Sequence, residues 1–466
     1  MKIVHIIERF SSAGPERSLI AAAKYAAQLG LEQEHLVCTL EKTGSPVAVI
    51  MARQAGVRVL LGPDPTLRTE LLTQADIVLI HFWNNPALWQ FLRGPLPPMR
   101  LIFWLMILGA YPPQVVPAAL FDVADLVVAT TPATLDLPEF AKRGTPVIYS
   151  MADFDRLAGF APRPHEGFNI GTIGGSLDAT KLHPSFVAMS AAVQLPEAHF
   201  IICGGGGEEI RQQVEAHGLG DRFTFHGYVE NIRTVLEVCD IFGYPLNPTT
   251  YATSEKVLQE AMWVGVPPVV LAHPGVRALV EDGVTGLVVE READYAAAIT
   301  WLYQHPDERE RLGRNAQAYA RRTFAPERLV RQFADLFAMQ MAHPKRTPLW
   351  AENTSEYTFN PAAQFLVALG EHAAPFAVSR SGPPGDQRDT AEAAIAACSD
   401  LLASGEGGIF HYRNTYPDDP YLRLWAGLVL AHRGQAARAA TEFQAAAAGG
   451  VRRPTLFDGP PQEEAT

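Results

Sequence analysis

Short apolar runs alternate with helical stretches along the first third of this chain, stop at a proline-rich break, and then start again. Lys2–Ile7, His35–Leu40, Val57–Leu61, Ile77–Ile80, Leu101–Leu108, Leu126–Ala129 and Pro146–Tyr149 read as strands, and Glu16–Leu29, after a Ser11–Pro15 turn, reads as a helix. Apolar strands separated by helices are the pattern of a parallel sheet covered on both faces. The break is Phe160–Gly167, rich in proline and glycine. Beyond it a second series begins with Phe168–Ile173 and continues through His199–Cys203, Phe223–His226, Ile241–Tyr244, Pro268–Leu271 and Gly286–Val289. Two such open α/β domains in tandem enclose a cleft, and each should bind ligand beyond the carboxyl ends of its strands. At 466 residues and 48% hydrophobic, the chain has material for two or three cores.

The rest of the chain differs in character. Asp307–Met341 reads as helix, and its arginines (Arg309, Arg311, Arg314, Arg321, Arg322) as a solvated face with glutamate partners. His343–Pro348 marks another boundary, and Ser379–Asp389 reads as a loop. Asp419–Gly449 reads as two amphipathic helices around His432–Gly434, with Leu424, Ala426, Gly427, Ala439, Phe443 and Ala446 as the packed positions. That pattern resembles one tetratricopeptide-type hairpin, which cannot bury its own face and must pack on Ala391–Ala403 or on a partner. The last ten residues are expected to fray. The expected division is 1–160, 161–325, a crossing helix at 326–345, and an all-α extension at 346–466.

Composition removes several functions. A net charge of −12 is the wrong sign for a general nucleic-acid binder. Four scattered cysteines, Cys38, Cys203, Cys239 and Cys398, form no C-x-x-C pair and fit a reducing compartment rather than a zinc or disulfide scaffold. The longest apolar run, Leu101–Ala110, is half of the ~20 residues a membrane span needs. The N-terminus turns polar at Glu8–Arg9 and so reads as a strand rather than a signal peptide. A cytoplasmic protein is expected, with contact at the inner face of a membrane allowed. The sequon Asn353–Ser355 is then a chance match.

The densest chemical signal is Thr253–Val270. Thr253 or Ser254 can cap a helix that ends near Gly265, and a buried strand comes next. A helix N-terminus offers free N–H groups and a positive dipole end to a diphosphate. Lys256 adds a point charge there. Glu260, four residues on and on the same face, is placed to accept hydrogen bonds from ribose hydroxyls. An exposed Lys–Glu pair at i,i+4 would look the same in isolation.

Longer stretches decide between these readings. Asp240–Pro245, then Glu260-Ala-Met-Trp-Val-Gly-Val-Pro-Pro-Val-Val270, Gly275 and Val280–Val289 match, in order, the motifs of a known family. From Met1 to about Met341 the chain resembles the retaining glycosyltransferases of family 4, also called group 1. The resemblance implies an α/β GT-B fold of two Rossmann-like domains. Gly14-Pro-Glu-Arg-Ser-Leu19 resembles the family's first strand–helix turn, where glycine admits the donor sugar and phosphates. Gly171–Lys181 resembles its phosphate loop, with Gly174, Gly175 and Lys181 at the ligand, and His226–Val229 matches the loop that reads the base through Tyr228 and Val229. The implied donor site is therefore Gly14, Gly174, Gly175, Lys181, Tyr228, Val229, Thr253, Ser254, Glu255, Lys256, Val257 and Glu260. Of only seven lysines, two fall at the phosphate positions 181 and 256.

The chain departs from the family at three positions. Gly175 stands where an arginine is usual, Ala252 where the first glutamate of E-x7-E is usual, and Met106 where a histidine is usual. His81 ends another strand and is expected to face the cleft as a catalytic or substrate-contacting group, with a structural histidine beside Trp83 as the other reading. Retaining transfer in this fold rests on stabilising the leaving diphosphate more than on a protein nucleophile, so Lys181 joins His81 as a catalytic expectation. Asp153-Phe-Asp155 is D-x-D in form but sits in the interdomain segment, and neither metal nor cofactor is expected. The implied activity is transfer of a hexose from a nucleotide-diphosphate sugar to a saccharide, lipid or protein acceptor with retention. The alternative is a catalytically weak relative acting as a binding or scaffold subunit, with the C-terminal helices as its partner surface. A sugar-nucleotide epimerase would bring more carboxylates and histidines to the cleft.

Overall fold

The computed structural model describes residues 1–141, 143–178, 180–350 and 359–451. The sequon at 353–355 and the expected frayed end lie outside them. Two six-stranded parallel sheets succeed one another along the chain. The first is built from β1 (Lys2–Ile7), β2 (Glu34–Thr39), β3 (Arg58–Leu60), β4 (Ile77–Phe82), β5 (Leu101–Leu105) and β6 (Leu126–Val128), in spatial order β3-β2-β1-β4-β5-β6. The second is built from β7 (Phe168–Ser176), β8 (Ala198–Gly205), β9 (Phe223–Gly227), β10 (Ile241–Tyr244), β11 (Pro268–Leu271) and β12 (Leu287–Val289), and repeats the order as β9-β8-β7-β10-β11-β12. Strand order reverses beside β1 and again beside β7, which opens a crevice at each point. All residues of β4 and β5 are buried, as expected of strands with helices on both faces.

The structure corrects three expectations. Pro146–Tyr149 contributes only an isolated bridge, Ala129 to Val147, and β5 stops at Leu105. The helix expected over 307–341 is two helices, Pro306–Thr323 and Pro326–Met341, broken at Phe324–Ala325 ahead of a proline. Arg311 pairs with Glu308 at 2.7 Å and Arg314 with Glu310 at 3.2 Å, as expected of a solvated face, whereas half-buried Arg309 turns to Asp240 at 3.5 Å.

Three of the helices that flank the two sheets frame the site. Helix α1 (Gly14–Gln28) leaves the carboxyl end of β1. Helix α2 (Lys256–Trp263) comes after β10, and Gly265, at φ +85°, closes its carboxyl end. Helix α3 (Pro326–Met341) returns to the first sheet, where Phe333 meets Trp104 edge-on at 4.8 Å. Among the described residues no helix is long and apolar enough to cross a membrane.

By packing, the chain forms two compact units. One holds both sheets: Met1–Phe82, Pro98–Leu108 and Asp125–Arg346. The other joins Trp83–Pro97 and Gly109–Ala124 to the described residues from Thr347 onward. Its members are thus more than the C-terminal tail. Buried Asn84 donates through Nδ2 to the carbonyls of Pro113 (2.7 Å) and Ala368 (2.8 Å) and accepts from Trp89 Nε1. Gln114 bridges Asn84 and the Glu406 carbonyl. Phe365, Phe376, Tyr412 and Trp425 form its aromatic centre, and Trp425 Nε1 donates to Ser379 Oγ at 3.1 Å. The loop expected at 379–389 shrinks to 382–385, because helices Ala374–Ser381 and Asp386–Ala396 occupy its ends.

The helical pair expected at 419–449 is α4 (Pro420–His432) and α5 (Ala436–Ala448), with Asp419 capping α4 through Tyr421 and Leu422 N–H. They pack closely because Gly427 leaves room for Phe443. A methyl group at 427 would stand 2.5 Å from Phe443 Cε1. Gly427→Ala is therefore expected to destabilise this unit by about 1–3 kcal/mol through overpacking, read as a lower urea midpoint. An unchanged midpoint would show that the ring yields freely.

Candidate functional site

The site is built where α1 and α2 begin. After β1 the chain turns through Ser11, whose N–H and Oγ both donate to Glu16 Oε1 at 2.9 Å. Pro15 in the first turn of α1 presets its backbone. The turn brings Gly14 so close to Lys256 that a Cβ there would stand 3.0 Å from Nζ. A side chain at 14 would press on the end of the second domain's lysine, which glycine leaves in place.

The residues before α2 do not cap it as expected. Its N-cap is Glu255, without a side-chain cap. Thr253 Oγ1 instead shares a 2.9 Å hydrogen bond with Thr130 Oγ1. Ser254 Oγ accepts from Ser150 N–H at 3.1 Å and from Gln259 Nε2 at 2.8 Å, while Ser150 Oγ donates to the Ser254 carbonyl. Both hydroxyls latch the loop to the first sheet domain, and the helix starts later than a Thr/Ser cap would allow. Leu108 N–H reinforces the latch by donating to the Tyr251 carbonyl at 3.0 Å.

Glu255 and Lys181 form a buried pair at 2.8 Å, and Tyr244 Oη donates to the second Glu255 oxygen at 2.9 Å. Burial pushes the Glu255 carboxyl up, but the Lys181 charge and the two hydrogen bonds outweigh it and hold it below its ordinary value. Burial opposes the Lys181 charge too, and Glu255 reverses the balance, so its ammonium is held above the usual lysine range. Lys181 is thereby engaged inside its own domain.

Lys256 is different. Burial pushes it down to about 8, with Glu255 and Glu260 opposing and Arg17 and Lys181 adding to the fall. Among the described residues no carboxylate oxygen lies within 4.0 Å of Lys256 or of Arg17. Glu260, one turn on and 4% exposed, meets Arg156 at 3.6 Å; burial raises its carboxyl despite the Arg156 and Lys256 charges. Val257 is half-buried and packs into the second core. From the first domain Arg17 donates through Nε to the Ser12 carbonyl at 2.9 Å and through Nη2 to Tyr228 Oη at 2.5 Å. Tyr228 is 60% exposed, just after Gly227 at φ +63°, and Val229 is half-buried. Gly14, Arg17, Tyr228, Lys256 and Glu260 are thus brought together.

Gly174 and Gly175 lie near the end of β7, with Gly175 exposed and no atom within 4 Å of a Cβ placed on it. Gly204 presses on them: a Cβ there would collide with the Gly174 carbonyl. The strand expected to end at Cys203 runs on to Gly205, and four consecutive glycines, Gly204–Gly207, are the local signal for this close approach. Ala252, at the family's glutamate position, is buried, and Met106, at its histidine position, donates its N–H to the Phe82 carbonyl at 3.0 Å.

His81 does not face the cleft. Its ring lies in a buried row across three adjacent strands: His81 Nε2 to His5 Nδ1 at 3.0 Å, and His5 Nε2 to His35 Nδ1 at 2.9 Å. Its aromatic neighbour is Trp104, at 5.5 Å, rather than Trp83. Burial pushes His81 down to about 3 and His35 down to about 4, so neither is an acid or base near neutrality. The D-x-D carboxylates are engaged by one lysine: Lys24 Nζ lies 2.7 Å from Asp153 and 2.8 Å from Asp155.

Two parallel sheets of matching order, each with a crevice at its switch point and α1 and α2 opening toward each other, define the GT-B fold. Residues 169–319 match the model of the family described as glycosyl transferases group 1. The chain is similar to the alpha-D-kanosaminyltransferase of Streptomyces kanamyceticus, 32% identical over 26% of this chain and 32% of that enzyme. It is also similar to the 2-deoxystreptamine N-acetyl-D-glucosaminyltransferase of Streptomyces fradiae, 26% identical over 61% of this chain and 80% of that one. Among solved structures, Anabaena Alr3699/HepE in complex with UDP-glucose shares the fold, with a TM-score of 0.59, 20% identity, and coverage of 73% of this chain and 100% of that one.

Proposed function

We propose that this protein transfers a hexose from a nucleotide-diphosphate sugar to a saccharide, lipid or protein acceptor, with retention of configuration. The observation that carries the reading is Lys256: a half-buried ammonium without a carboxylate partner, over Gly14, in the first turn of an uncapped helix. Such a group is stabilised by an anion arriving between the two domains. The diphosphate would lie on the α2 N-terminus and Lys256, with Gly14, Gly174 and Gly175 admitting it closely. Glu260 would accept from the ribose and Tyr228–Val229 would border the base. Lys181 would reach the phosphates only by exchanging its Glu255 partner. His81 has no part in this reading.

On departure the diphosphate gains charge next to Lys256, so the lysine is worth more in the transition state than before it. The leaving phosphate oxygen would take the acceptor proton, which requires no protein base and no metal. The helical unit would serve as a partner surface.

The names of the two relatives, both sugar transferases, and the UDP-glucose in the similar structure support the donor class. Thermal unfolding with UDP, GDP, ADP and TDP and their common sugars, with and without EDTA, tests it. Ligand at 100 times its Kd adds about 2.7 kcal/mol. The expected result is a shift with one base, unchanged by EDTA; no shift with any base would sink the reading. The Lys181–Glu255 pair favours a second reading, a donor-binding protein of low turnover. Hydrolysis or transfer of the bound nucleotide-sugar separates the two.

A further inference from the structure

We propose that Arg17, on the first sheet domain, is a second cation for the donor's diphosphate, so that the bound diphosphate ties the two walls of the cleft together. This rests on the donor site proposed above and adds a ligand to it.

Charge balance calls for a second cation. A diphosphate carries more than one negative charge, and a desolvated site must match most of it. On the second domain, Lys181 is neutralised by Glu255 at 2.8 Å, and the strand end at Gly174–Gly175 carries no side-chain charge. Lys256 alone is left there. Across the cleft, Arg17 too has no carboxylate oxygen within 4.0 Å among the described residues. The two belong to one electrostatic group, since Arg17 and Lys181 both oppose protonation of Lys256. Glu255 and Glu260 offset these charges only in part, since Lys256 is still pushed down, and a further anion between Arg17 and Lys256 is favoured.

Geometry gives Arg17 the means. Its side chain leaves the first turn of α1, three residues after Gly14, whose Cα lies beside Lys256 Nζ. Its Nε is held by the Ser12 carbonyl and Nη2 by Tyr228 Oη. These bonds fix the guanidinium plane while Nη1 makes no hydrogen bond among the described residues. A planar fork of fixed orientation suits phosphate oxygens better than a mobile ammonium does. The Tyr228 bond already spans from α1 to the loop after β9, so Arg17 touches both domains before ligand arrives.

The test is isothermal titration of the full chain with UDP, GDP, ADP and TDP, and with the matching nucleosides. Arg17→Ala is expected to weaken the nucleoside diphosphate that binds by about tenfold or more and to leave its nucleoside unchanged, with Arg17→Lys between. A rescue separates charge from architecture. Position 175 is exposed and open, so Gly175→Arg can supply a guanidinium from the other wall. In the Arg17→Ala background it should restore most of the lost affinity. Full affinity in Arg17→Ala while Lys256→Ala loses binding would overturn the proposal and leave the donor site standing. Loss in Arg17→Ala with equal loss of nucleoside affinity and no rescue would overturn it as a structural effect. If wild type binds none of the four, the proposal falls with the donor site.

Discussion

Lys256→Met is expected to lower nucleoside diphosphate affinity by roughly 100-fold while making the unliganded protein more stable. Both effects come from one cause. The Lys256 ammonium is desolvated beside Gly14 without a carboxylate within ion-pair reach among the described residues, and its pKa is pushed down from 10.5 to about 8. Between those values the unfolded chain holds the proton that the folded chain has released. Stability therefore rises with pH through that window, and the cost of the buried charge is fully present below about pH 8. A displacement of this size corresponds to an upper limit of about 3 kcal/mol, and methionine keeps the volume while removing the charge. Urea denaturation at pH 7 should show wild type the less stable by about 1–3 kcal/mol, with the gap closing toward pH 10.5. A methionine variant that is less stable at pH 7, or that binds nucleotide normally, would refute the assignment of Lys256.

Lys181 should behave in the opposite way. Lys181→Ala is expected to cost about 3–5 kcal/mol, because it strands the buried Glu255 carboxylate with only Tyr244 Oη as partner. The double variant Lys181→Met, Glu255→Gln should recover most of that loss, since no buried charge remains. A double-mutant cycle in urea reads the coupling directly; additive losses would mean that the two groups act independently. The pH signs come from the directions of the shifts. The lowered Glu255 carboxyl contributes stability that is present above the ordinary carboxylate range and lost as pH falls through its depressed value. The raised Lys181 contributes stability present below the ordinary lysine value and lost as pH rises through its elevated one. Methionine at 256 and alanine at 181 thus distinguish a charge held ready for a ligand from one already matched.

The features legible in the sequence were those that depend on neighbours along the chain. The apolar runs placed both sheets because period and length survive without tertiary context. Lys256 and Glu260 could be singled out as candidates because a helix start and an i,i+4 spacing are local, and Gly14 because the resemblance pointed to it. The caps at Thr253 and Ser254 misled because their hydroxyls are claimed by Thr130 and Ser150, more than 100 residues away. Lys181 stands out as one of few lysines, but its partner Glu255 lies 74 residues on and no spacing announces it. His81 ends a strand, which gives depth along the sheet but not the face. A histidine on each of three strands does signal the face, and it becomes readable only once β2, β1 and β4 are known to be neighbours.

The composite make-up of the helical unit also bears on synthesis of the chain. Asn84 waits for a carbonyl 284 residues downstream, and Pro86 for a tyrosine hydroxyl 330 residues downstream. At ribosomal speeds of about 5–20 residues per second, that wait is roughly 15–60 seconds, long compared with helix or hairpin formation. During it, Trp89, which packs on Trp350, is apolar surface awaiting its cover, while both sheets are free to form. Nascent chains stalled before Ala368 should hence be the ones that ribosome-bound chaperones hold longest.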